Sequence, residues 1–141
     1  MSEQSEQPAI VRGDDVEYEP VDAARGLAKG VLVGEDEGAP NFAMRRFTLD
    51  PGAEVPRHTN EVEHVQYVLA GEYTVGIEGE EHTVAAGDAL YVPAGAVHWY
   101  RNESSEASED ASGSRTASGD DEQGAFICVV PHGDDDIQVL G

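Results

Sequence analysis

Gly87-Asp-Ala-Leu-Tyr-Val-Pro93-Ala-Gly95-Ala-Val-His98-Trp-Tyr-Arg-Asn102 sets two short extended runs on either side of a Pro/Gly turn. Ala89-Leu-Tyr-Val is rich in β-formers and is bounded by Gly87 and Pro93, which is strand punctuation rather than helix punctuation. Pro93 and Gly95 then predict a turn that re-aims the chain just before His98. Working outward, Val65-Gln-Tyr-Val-Leu-Ala and Tyr73-Thr-Val-Gly-Ile-Glu read the same way, and so does Asn41 to Asp50. Side chains alternate across a strand, so His98 and Tyr100 share one face, His64, Gln66 and Val68 share another, and His58 and Asn60 a third. A barrel brings such faces together around one interior. The expectation is an all-β chain.

The fixed positions of that segment spell G-x5-P-x-G-x2-H-x3-N. Upstream, Gly52-Ala-Glu-Val-Pro-Arg-His58-Thr-Asn60-Glu-Val-Glu-His64 leads through six residues to Gly71. Together they resemble the two motifs of the cupin superfamily, in particular small single-domain cupins of the conserved-barrel type with a histidine-rich metal site. The resemblance covers roughly residues 30–102 and the last strand. It implies a jelly-roll-like antiparallel β-barrel with one divalent transition ion, Fe, Mn, Ni, Cu or Zn, in the barrel mouth. The usual first motif is G-x5-H-x-H-x3,4-E-x6-G, and this chain departs from it twice. Asn60 stands at the second His and His64 stands at the Glu.

On that resemblance the metal ligands are His58, His64 and His98. Asn60 is either a fourth ligand or a structural residue, since an amide oxygen ligates less strongly than an imidazole. Three neutral imidazoles leave a divalent ion its full charge, where a carboxylate would lower it by one. Such a site favours an anionic or enolate-like oxygen at its open positions. Gln66 and Tyr100 are the candidate pocket residues by facing, and Tyr100 reads equally as a core residue. Trp99 is expected to pack outward or at a subunit contact, and Glu61 and Glu63 to be exposed. His82 sits among acids in a hairpin-like segment and His132 in a C-terminal turn, so neither is expected to ligate.

Composition sets the surroundings. The net charge is −21, with 29 Asp plus Glu against 8 Lys plus Arg, and Lys29 is the only lysine. Acids spread along the whole length point to a salt-adapted protein, because salt screens self-repulsion over about 3 Å at 1 M. With no basic patch, nucleic acid and anionic membrane are not expected partners. Cys128, the only cysteine, lies in Ala125-Phe-Ile-Cys-Val-Val and reads as a buried strand thiol. The N-terminal residues lack basic and apolar signal regions, and no apolar run approaches membrane-spanning length, so a cytoplasmic location is expected.

The chain reads as a disordered N-terminus over 1–8 and one cupin domain over 9–141. Residues 9–34 predict one or two strands that precede the barrel or cross a partner subunit. Residues 103–124, dominated by Ser, Gly, Ala and acids, predict a disordered insertion between two barrel strands. Exposed strand edges predict a homodimer. Three functions stay open on the sequence. The first is an enzyme acting on a small oxygen-rich or anionic metabolite by dioxygenase-like oxidation or lyase/isomerase chemistry. The second is a non-catalytic, metal-dependent small-molecule binding module. The third is a uronate-processing cupin of the pectin-degradation type.

Overall fold

A computed structural model describes residues 8–103 and 123–132, with the backbone of residues 138–139. The disordered segments expected at 1–8 and 103–124 therefore lie outside the described residues, apart from Pro8, Glu103, Gln123 and Gly124. The strands are β1 (Tyr18–Pro20), β2 (Arg25–Val33), β3 (Phe42–Thr59), β4 (His64–Ala70) and β5 (Glu72–Ile77). They continue with β6 (Glu80–Ala85), β7 (Ala89–Val92), β8 (His98–Arg101), β9 (Gly124–Pro131) and β10 (Gln138–Val139). Their neighbours run in the order β6-β5-β8-β3-β9-β4-β7, while β2 pairs with β3, β1 with β2, and β10 with β3. All pairings are antiparallel. Where one or two strands were expected over 9–34 there are two, β1 and β2, and they pair within the chain.

The alternation predicted for the motif strand holds along β4. His64, Gln66 and Val68 are buried, and Val65, Tyr67 and Leu69 are exposed. Inward residues of β3, β5, β6, β8 and β9, among them Leu49, Val75, Val84, Tyr100 and Phe126, join Val68 in one cluster, so the sheet is curled on itself as a half-barrel. Fully burying side chains of this size contributes about 1.5–3 kcal/mol each. Phe47, Val55, Tyr100 and Phe126 of this cluster line one cavity together with His58, His64 and His98.

β3 is longer than the sequence suggests. It passes through Pro51-Gly52 without leaving the sheet, Gly52 adopting φ +82 at the bend. Asn102, fully buried at the end of the second motif, fastens that bend. Its side-chain amide donates to Leu49 O at 2.9 Å, its backbone N–H donates to Ala53 O, and its carbonyl accepts from Gly52 N. A second irregularity follows. Val55 pairs with Tyr100 and His58 with His98, so β3 spends one more residue than β8 between these pairs. This bulge at Pro56–Arg57 shifts the inward parity from Ala53 and Val55 to His58.

Candidate metal centre

His58 and His98 are register partners on β3 and β8, with ring centroids 4.1 Å apart; His64, on β4, lies with its centroid 6.1 Å from that of His98. All three rings are buried. Backbone geometry orients two of them. His58 Nδ1 lies 2.7 Å from Pro56 O inside the bulge, and His98 Nδ1 lies 3.0 Å from Ala96 O in the turn before β8. That turn is pinned from outside, as Gly95, at φ +80, donates its N–H to Asn60 O at 2.9 Å and Ala96 N donates to Pro93 O. A carbonyl accepts only from a protonated Nδ1, so in both rings Nε2 carries the lone pair a metal would use.

His64 Nδ1 meets Cys128 Sγ at 3.3 Å, a bond the sequence did not foretell. Burial pushes the Cys128 thiol up, but the bond and charge of His64, aided by Arg45, outweigh it, and the net direction is down. Gln66 Nε2 donates to Tyr100 Oη at 2.8 Å, so these two pocket candidates form one unit, and the Tyr100 ring also stacks on Phe126 at 5.5 Å. Asn60 is buried and lines the same cavity. The cavity measures about 70 Å³ and contains all six of His58, Asn60, His64, Gln66, His98 and Tyr100 in its wall.

The remaining candidates lie elsewhere. Glu63 is exposed and accepts from Tyr91 Oη at 2.8 Å. His82 is exposed, 3.8 Å from Glu80, and His132 lies in the C-terminal turn with Nε2 2.8 Å from Ala39 O. Trp99 packs on the outer face against its register partner Gly76, with the Arg101 guanidinium 4.7 Å from its ring. Two cations were missed: Arg45, buried, and Lys29, exposed, both line the cavity. Alternation carried the signal for Arg45, which shares its face with Phe47 and Leu49.

The donor chemistry suits a divalent transition ion, because imidazoles with Nδ1 tied to the protein are its usual nitrogen ligands. As the side chains stand, no group of three or more His, Cys, Asp or Glu among the described residues is gathered in a metal-holding arrangement.

Fold and cavity together define a small jelly-roll-like protein with buried polar groups around one cavity. Residues 45–109, a little under half of the chain, match the family model of the cupin domain. Endoribonuclease YbeY of Myxococcus xanthus (strain DK1622) is 30% identical over 90 residues, which is 55% of this chain and 31% of that protein. The chain spans less than half the length of the curated relatives it matches. Among solved structures, the polyketide cyclase RemF from Streptomyces resistomycificus superposes with a TM-score of 0.77 at 22% identity, covering 96% of this chain and 87% of that one. KdgF from Halomonas sp. does so with a TM-score of 0.67 at 17% identity, covering 91% and 97%. Those two likenesses are of fold. No helix among the described residues is long and apolar enough to cross a membrane.

Proposed function

We propose that this cupin holds one divalent transition ion on His58, His64 and His98 and acts as an enzyme on a small anionic or oxygen-rich metabolite in the same cavity. The observation that carries the reading is the paired His58 and His98, each with Nδ1 fixed on a backbone carbonyl, beside His64. When bound, such an ion supplies Lewis-acid polarisation of a ligand oxygen. The chain does the rest. Peptide carbonyls hold the imidazole tautomers, the Gln66–Tyr100 pair orients polar atoms toward the ligand, and the aromatic floor of Phe47 and Phe126 keeps water out.

Elemental analysis of untagged protein purified natively should give about one transition ion per chain. Replacing His58, His64 or His98 by Ala should each remove most of it. No metal after native purification and none after reconstitution would refute the site. Oxygen uptake or product analysis with small hydroxy and keto acids separates the oxidative reading from lyase or isomerase chemistry. Tight ligand binding with no turnover would select the non-catalytic binding module.

The chain is further proposed to pair as a homodimer through the outer face of β4 and β7. Val65, Tyr67 and Tyr91 are 51%, 50% and 56% exposed there, side by side in register. Light scattering in molar KCl should report twice the chain mass, and a monomer at micromolar concentration would contradict it.

A further inference from the structure

A row of inward side chains crosses three strands, and its two ends, Arg45 and Gln66, line the cavity that also holds the paired histidines. Arg45 on β3 is the register partner of Cys128 on β9, and Cys128 is the register partner of Gln66 on β4. Arg45 Nη2 lies 3.6 Å and Gln66 Nε2 3.9 Å from the Cys128 sulfur. All three residues are buried, and the Arg45 guanidinium stacks 5.3 Å above the Phe47 ring.

Two properties of this row point to a ligand. Gln66 Oε1 is buried with no hydrogen-bond partner among the described residues, although its amide nitrogen is engaged by Tyr100. A buried acceptor without a donor is costly, and a ligand O–H in the cavity would satisfy it. The second property is sign. Acids outnumber bases 29 to 8 in the chain, yet the described residues lining this cavity include Arg45 and Lys29 and no Asp or Glu. A surface of net charge −21 repels anions, so a cationic wall here runs against the rest of the molecule. Arginine presents a fork of N–H donors matched to a carboxylate.

Size narrows the class. A cavity of about 70 Å³ holds roughly five water-sized groups, taking about 10–15 Å³ for each. That is a carboxylate with one or two further carbons and a hydroxyl.

We propose that the cavity recognises a short α-hydroxy carboxylate, its carboxylate on Arg45 and its hydroxyl donating to Gln66 Oε1. The proposal deepens the function given above and rests on its placing of the ligand in this cavity. Arg45 and Gln66 are then specificity-determining residues, with Lys29 at the rim drawing the anion in.

Calorimetric titration of the full chain at fixed KCl, with glycolate and with acetate, tests it. Glycolate should bind about fivefold tighter than acetate, the difference being one hydrogen bond to a buried acceptor. Gln66→Leu should collapse that ratio to about one. Arg45→Met should weaken both acids at least about tenfold, and Arg45→Lys, which keeps charge without the fork, should weaken them less. Should Arg45→Met fail to fold by circular dichroism, Arg45→Lys and Gln66→Leu decide the matter. Equal affinities for the two acids, binding of neither, or wild-type affinity in both Arg45 variants would overturn the proposal. Metal content is measured on every sample. A glycolate preference that depends on Gln66 in protein that never takes up metal would remove the metal proposal and leave this one standing.

Discussion

The two halves of β3 use one continuous backbone for different work. From Phe42 to Leu49 it pairs residue by residue with β9 and is flanked by β2, so strict alternation buries Arg45, Phe47 and Leu49. From Ala53 to Thr59 it pairs with β8 at Glu54, Val55 and His58 only, across a bulge, and then with β10. The regular half supplies stability and offers its cavity residues, Arg45 and Phe47, by parity alone. The interrupted half gives up ladder bonds and gains control over where His58 points. Regularity anchors the barrel, and its local failure turns His58 into the cavity.

The largest expected effect tests the regular half. Leu49 is fully buried, so Leu49→Ala should cost about 3 kcal/mol by chemical denaturation while the folded fraction keeps its metal. His58→Ala should cost less than half of that and lose the metal. A reversed order of the two stabilities would break the comparison. Next comes salt, which acts on both halves through the same net charge of −21. Dilution from molar to millimolar KCl should lower the melting temperature by roughly 5–10 °C. An unchanged melting curve would refute salt adaptation.

A smaller effect sharpens the interrupted half. Asn60 gives its backbone carbonyl to the turn before His98, a bond that side-chain replacement keeps. Asn60→Ala should therefore retain metal, and Asn60→His should tighten it by adding an imidazole. Loss of metal in Asn60→Ala would make the amide a required ligand. The smallest effect concerns the junction of the halves. Both ends of the 103–124 insertion are tied to it, through Asn102 Nδ2 on Leu49 O and Gln123 Nε2 on Asp50 Oδ1 at 3.0 Å. Replacing residues 104–122 with a short Gly-Ser linker should shift the unfolding midpoint by under about 0.5 kcal/mol and leave metal content intact. Collapse of the fold on that replacement would mean the segment contributes to the core.

Much of this was legible because strands bounded by turn residues advertise themselves and alternation assigns their faces. The barrel, the shared face of His64, Gln66 and Val68, and the turn before His98 follow from pattern alone. The unity of β3 does not, since Pro51-Gly52 reads locally as a break, and only pairing with partners distant in sequence carries the strand through it. The insertion was expected between two barrel strands; the flanking strands are β8 and β9, which lie on either side of β3, an order that local pattern does not encode. The bond between Cys128 and His64 was invisible for a similar reason. It joins residues 64 positions apart, and register between β4 and β9 is a tertiary fact. Arg45 was legible and overlooked, a charged residue on an otherwise apolar face.

The bulge at Pro56–Arg57 is also a counting device. Pro56 has no N–H to give the ladder, which favours an irregular step at that place. A chain whose β3 paired one residue out against β8 would restore simple alternation, keep Val55 in the core and turn the imidazole of His58 to solvent. Such a molecule would keep Val55 in its core while removing one of the three proposed ligands from the cavity. The presence of that imidazole in the cavity is therefore a proofreading mark on strand register, written by one surplus residue.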